Sequence, residues 1–284
     1  MARVFISLLL LTFGLLSACD GDTEPAPNCD DGTVWEGDFM ASAPGDLEAL
    51  ASIARVTGDL TLTGSVRDVA ELGCLEQIDG FLYLSQGELL DLHGLSNLSN
   101  LGSLYVSQMP NLTTLEGLES VHSLGSITIQ RSAVKTLLGL SALEEVRGRV
   151  HLYESEFDNM RGLETLRTIG GSLIVTGVLA PLSLDGLDAL ESIGGDLDVQ
   201  QNSGLTGMSG LPQLQSVGGE LRVVGNAALT ELQLPLLDSL GGELRIRSNA
   251  SLPNCHALAV RDRLVDAGWA GSESIGSNAN TPCE

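Results

Sequence analysis

The chain has 284 residues, with 37 acidic against 14 basic side chains and a formal net charge of −23 at pH 7. So negative a chain argues against nucleic acid as a partner and against direct adsorption to anionic lipid, which carry the same sign of charge. It suits solubility outside the membrane and remains compatible with cations or basic partners.

Residues 1–18 read as a targeting segment. Arg3 supplies a positive start, and Val4 to Leu16 is an almost unbroken apolar run, too short to span a bilayer comfortably. The run closes on Leu16-Ser17-Ala18-Cys19, which resembles the bacterial lipobox. That resemblance implies cleavage before Cys19, lipidation of its sulfur and acylation of the new amino group. The alternative is an ordinary signal peptide cut near Ala18 that leaves Cys19 unmodified. Several acyl chains anchor stably where one gives marginal binding. Asp20, next to Cys19, resembles an inner-membrane retention signal in some bacteria. Residues 19–28, acidic and Pro-containing, read as a tether. Loss of Arg3 leaves 13 basic and 37 acidic residues, a mature net charge of −24.

Residues 29–57 read as an N-terminal cap. Asp46 to Ala54, behind Pro44, spaces Leu47, Leu50 and Ile53 as a capping helix would. From residue 58 to 254 the chain repeats. Gly-x-aliphatic-x-aliphatic begins at Gly58, Gly80, Gly102, Gly125, Gly148, Gly171, Gly195, Gly219 and Gly242, at intervals of 22 to 24 residues. A fixed period of this size marks a solenoid or a similar array. Period-two alternation marks a strand with one buried face, so the inward pairs run from Leu60/Leu62 to Leu244/Ile246. A second apolar set at spacing three, such as Leu187/Leu190/Ile193, fits a short helix, a 3₁₀ turn or a second bent strand. No turn buries its apolar row alone, so the turns must stack. Nine strands about 4.8 Å apart make a parallel sheet roughly 40 Å long. The strand-start glycines, often doubled, suit either positive φ or close approach of neighbouring backbones. Asn202, Asn226 and Asn249 each lie seven residues after a strand glycine and read as a structural asparagine ladder.

Residues 255–283 read as the C-terminal cap, a helix from Cys255 to Gly268 followed by Trp269, placed to lie over the open core edge. Besides Cys19 there are four cysteines. An even count in an exported chain suggests disulfides, and four allow three connectivities. Proximity favours Cys29–Cys74 and Cys255–Cys283, one staple at each end.

The recurrent L-x-x-I-G-G-x-L-x-V, as in Leu190 to Val199, with the preceding Gly186-Leu-x-x-Leu190, resembles the receptor L-domain family. Its members include the ligand-binding ectodomains of the epidermal growth factor and insulin receptors, and related solenoids occur in bacterial surface lipoproteins. The resemblance covers about Val56 to Cys283. It implies a mainly β, right-handed parallel β-solenoid of about nine turns with short helical caps at both ends. The plain leucine-rich repeat is a close relative in pattern, and the extra Gly-Gly argues for the L-domain version. The receptors' cysteine-rich module, second L domain, transmembrane helix and kinase are not in this sequence, so hormone-receptor activity does not carry over.

Function is expected on the outward strand residues. Phe81, Tyr83, Tyr105, His151 and Tyr153 form an aromatic stretch that includes all three tyrosines of a chain only 4% aromatic. Exposed aromatics suit a protein hot spot or glycan stacking, although aromatic neighbours also favour sheet pairing alone. A second patch mixes Asp196, Asp198, Glu220 and Glu243 with Arg222, Arg245 and Arg247. It reads as cross-strand ion pairs in preference to an ion site. Asp196 and Asp198 share a strand face, as a glycosidase pair might, but the arginines would hold both ionised, which is poor for a general acid. His93, His122, His151 and His256 are scattered, and no Ser/His/Asp set, HExxH or phosphate loop occurs. The sequence therefore predicts a non-catalytic, lipid-anchored recognition module of a bacterial cell envelope, at the outer membrane or cell surface, without metal or cofactor. A ligand-free structural envelope protein is the first alternative, and a polysaccharide-active enzyme the second.

Overall fold

The computed structural model describes Cys29, residues 32–178 and residues 182–280. The expected signal peptide, Cys19, the tether and Cys283 lie outside the described residues.

All nine predicted copies form strands, and they stack in register. In chain order they are Leu60–Gly64, Gln77–Gly87, Asn100–Ser107, Ile127–Gln130, Val150–Tyr153, Leu173–Thr176, Leu197–Gln200, Leu221–Val224 and Leu244–Arg247. Among the described residues every pairing of neighbouring strands is parallel, and like positions of successive turns face each other, as in Leu197↔Leu221 and Leu221↔Leu244. Stacking like on like is what a fixed period requires, since each turn's inward pair finds its only apolar cover in the next. All nine inward pairs are buried in one cluster that runs from Ala41 to Leu264. The fold is a mainly β parallel solenoid.

The spacing-three set takes both non-α forms the sequence allowed. Its first leucine sits in a turn or a 3₁₀ segment such as Leu138–Leu140. Its last aliphatic sits in a two-residue strand. Six of these, from Ser123–Leu124 to Ser239–Leu240, make a second parallel sheet. In the earlier turns the same short segment merges into the main strand, giving the long Gln77–Gly87 and Asn100–Ser107.

Close approach, not positive φ, explains the strand-start glycines. A Cβ on Gly242 would lie 2.8 Å from the carbonyl carbon of Gly219, one turn below. Positive φ falls instead six residues after each strand-start glycine. Gly64, Gly177 and Gly225 take φ of 63–72° there, while Gln86, Gln108, Arg131, Glu154, Gln201 and Ser248 take 44–60°. A non-glycine residue in this region costs roughly 1 kcal/mol, offset here by the stacking that requires the corner.

Two further copies of the main strand were not announced by the repeat. Phe39–Ala41 pairs with Leu60–Gly64 before the first copy, and Glu273–Gly276 pairs with Leu244–Arg247 after the last. Both are degenerate copies, Gly37-Asp-Phe-Met-Ala41 and Gly271-Ser-Glu-Ser-Ile275, in which the aliphatic pair has decayed. The expected N-terminal capping helix is present with shifted bounds, as a seven-residue 3₁₀ segment over Pro44–Leu50 where the sequence placed it over Asp46 to Ala54. A spacing of three between Leu47 and Leu50 matches the 3₁₀ repeat, which stacks i on i+3. Asp46 Oδ2 accepts the Ser42 and Ala43 amides at 2.8 and 2.9 Å. These bonds hold its carboxyl below the usual range, although burial opposes them.

At the far end Asn254–Asp266 is an α-helix, and Trp269 packs half-buried against the core with its indole N–H donated to Gly242 O at 3.2 Å. Cys29 and Cys74 form a disulfide with Cα atoms 5.2 Å apart. Cys255 is disulfide-bonded as well.

Candidate functional site

The central outward row of the main sheet reads, strand by strand, Met40, Thr61, Tyr83, Tyr105, Thr128, His151, Ile174, Asp198, Arg222, Arg245 and Ser274. Tyr83 and Tyr105 are therefore direct neighbours, while His151 lies three strands from Tyr83, about 14 Å away.

The expected aromatic stretch thus divides in two. Phe81 and Tyr83 stack with centroids 5.0 Å apart, and Tyr83 meets Tyr105 edge-on at 5.4 Å. Phe81 is 36% exposed, and Met40, which sequence reasoning passed over, is 67% exposed at the end of the same row. Gln130 Nε2 donates to the Tyr105 hydroxyl at 2.6 Å and so fixes that ring. Burial raises the Tyr83 pKa first, with the Asp59 charge second and smaller contributions from Tyr105 and Asp38.

Thr128, itself buried, separates this cluster from the second. There His151 and Tyr153 lie 6.0 Å apart and tilted. The Arg131 guanidinium sits 5.7 Å from the Tyr153 ring centroid, and Glu154 accepts from both Arg131 Nε (2.8 Å) and the Tyr153 hydroxyl (2.6 Å). Those bonds hold the Glu154 carboxyl below its usual range, the one from Tyr153 counting most. Burial pushes the His151 pKa down, and Arg149 adds to the effect.

The charged patch is self-paired, but only the Arg222–Asp198 pair crosses strands as expected, the other two running along one strand. Arg222 donates to Asp198 at 2.7 Å and also pairs with Glu220, while Arg245 pairs with Glu243. Gln200 Nε2 donates to the other Asp198 oxygen at 2.6 Å. Asp196 is occupied differently, since its Oδ1 accepts the Glu220 amide of the next turn at 2.8 Å. The two carboxylates thus have separate structural partners.

That Asp196 bond belongs to a ladder that the sequence reading did not single out. Asp38, Asp59, Ser103, Ser126 and Ser172 each accept the amide one turn on, at 2.8–3.3 Å. The signal was available as an Asp or Ser directly after the strand glycine. The asparagine ladder is present, its three expected rungs are wholly buried, and it is one rung longer than expected. Asn202, Asn226 and Asn249 continue to Asn278 in the cap, whose Oδ1 accepts the Asn249 amide at 3.2 Å.

A hollow of about 910 Å³ opens at the corner past the strands, lined by Lys135, Glu154, Glu156, Asp158 and Gln201 among others. It carries no aromatic side chain.

No family model and no curated protein matches the chain. Among solved structures it is similar to an internalin from Listeria monocytogenes, 14% identical over 87% of this chain and 86% of that one, with a TM-score of 0.39. The stacking itself decides the architecture. This is a leucine-rich parallel β-solenoid. Its leucines and their aliphatic substitutes are spent on the shared core, and the row alternating with them faces away from it.

Proposed function

We propose that this solenoid is a non-catalytic recognition module that docks a partner protein on the N-terminal part of its outward sheet. The supporting observation is the contiguous Phe81–Tyr83–Tyr105 cluster, with exposed Met40 two strands from Tyr83 in the same row, on a backbone held by parallel pairing. Aromatic residues clustered on a flat, rigid surface are the usual anchors of protein interfaces. Phe81 and Tyr83 stack on each other, so each covers a ring face that a sugar would need. This favours protein over glycan as the ligand.

The test is capture of envelope proteins by the wild-type chain and by a Tyr83→Ala/Tyr105→Ala variant of unchanged circular dichroism. Loss of two hot-spot tyrosines should weaken a true partner by about 2 kcal/mol, roughly thirtyfold. Equal recovery of every captured protein by both chains would end this reading.

The proposal extends to the cell envelope, with Cys19 lipidated after removal of residues 1–18. The lipobox-like Leu16-Ser-Ala-Cys19 supports it. Among the described residues no helix is long and apolar enough to cross a membrane. Intact mass of the membrane-extracted protein should equal the chain from Cys19 plus acyl groups, and an unacylated mass would make the chain secreted. We propose further that the chain is the L-domain variant of the leucine-rich solenoid. The doubled glycines support this, since a Cβ at either Gly241 or Gly242 would strike the turn below.

A further inference from the structure

The two aromatic clusters contain the same kinds of group, with one difference. At Tyr153 the ring, a carboxylate (Glu154) and a cation (Arg131) are all supplied by the chain, and the cation satisfies both of the others. At Tyr83 the ring and the carboxylates are present without the cation. Asp38 and Asp59 each use Oδ1 to accept the next turn's amide, at 2.8 Å, and among the described residues neither Oδ2 has a hydrogen bond or a basic partner. The charges of both reach Tyr83. Arg131 occupies the corner just past its strand, and the same corner beside Tyr83 and Tyr105 holds Gly64, Gln86 and Gln108, none of them basic. The nearby Arg55 is committed to Asp79 at 2.5 Å.

We infer that the Phe81–Tyr83–Tyr105 cluster, with Asp38 and Asp59, receives an arginine side chain of the partner protein. The guanidinium lies against the Tyr83 ring and donates to the two Oδ2 atoms. Adjacent turns space those carboxylates about 4.8 Å apart, a separation that a forked guanidinium can bridge while its plane lies on an aromatic ring, a stacking that an ammonium does not offer. A cation within about 6 Å of a ring centroid is also attracted by the ring itself. The inference rests on the reading of this face as a docking surface and names the chemistry that surface takes.

The three tyrosines make the test direct. Protein carrying ring-labelled tyrosine is titrated with Ac-Gly-Arg-Gly-amide and, separately, with the citrulline peptide of the same shape and no charge. The Tyr83 and Tyr105 signals should move about fivefold more with arginine than with citrulline, while Tyr153, already occupied by Arg131, stays in place. In an Asp38→Asn/Asp59→Asn variant, where the side-chain oxygen still accepts the next amide and the ladder stands, the arginine response should disappear. Equal shifts with both peptides, equal movement of Tyr153, or an undiminished response in the double variant would each overturn the inference. If it is overturned while Tyr83→Ala/Tyr105→Ala still loses its captured partner, the docking face stands and only its chemistry is wrong. If that variant keeps the partner, the docking reading falls as well.

Discussion

Replacing Asn226 with leucine should cost about 3–5 kcal/mol, although leucine keeps the same branched skeleton of side-chain heavy atoms. Asn226 is wholly buried. Its Oδ1 accepts the Asn202 amide at 3.0 Å, and its Nδ2 donates to Val199 O at 2.9 Å. Both partners are backbone groups that water cannot reach, so leucine leaves two orphans, each costing about 1–3 kcal/mol. The urea midpoint of the circular-dichroism transition reads the loss. Exchange of the Asn202 amide reads it locally, because that N–H loses its acceptor. Asn278→Ala should cost less, since this last rung is half-exposed. A leucine variant within 1 kcal/mol of wild type would mean the ladder contributes little.

Gly139→Ala should destabilise by about 3 kcal/mol or more, and its sign is the informative part. Gly139 lies in the 3₁₀ segment Leu138–Leu140 with no positive φ, so backbone preference alone would make alanine stabilising by about 0.5–1 kcal/mol. Space decides otherwise. An added Cβ would fall inside the Leu115 carbonyl group of the preceding turn, and a backbone atom cannot swing aside as a long side chain can. Gly207→Ala is the control, because its Cβ would meet nothing nearer than Glu231 Cβ at 4.0 Å. Thermal melts of the two variants should separate clearly. A neutral or stabilised Gly139→Ala would show that the turns have slack.

Much of this was legible before any coordinates. Leu197/Val199 and its eight counterparts alternate with period two, and they recur at an interval that permits only stacking. The asparagine ladder followed from the same register. The degenerate strands were hidden because Phe39/Ala41 and Glu273/Ile275 no longer show the aliphatic pair that the search depends on. A decayed copy is tolerated only at an end, where one neighbour is missing and less core is shared. The aromatic set was drawn as one stretch because a residue list does not measure distance. Register sets Thr128 between Tyr105 and His151 and separates the set into two clusters.

By itself the sequence determined the parallel solenoid, its nine central turns and the face available for contact, because periodicity is a local property repeated often enough to impose a global one. Only the tertiary structure decided which polar groups on that face are already satisfied. Arg131 reaches the Tyr153 ring and Glu154 from the turn below, whereas Asp38 and Asp59 meet no cation among the described residues. Such pairings join residues a full turn or more apart, at distances set by stacking and corner geometry that no local pattern encodes.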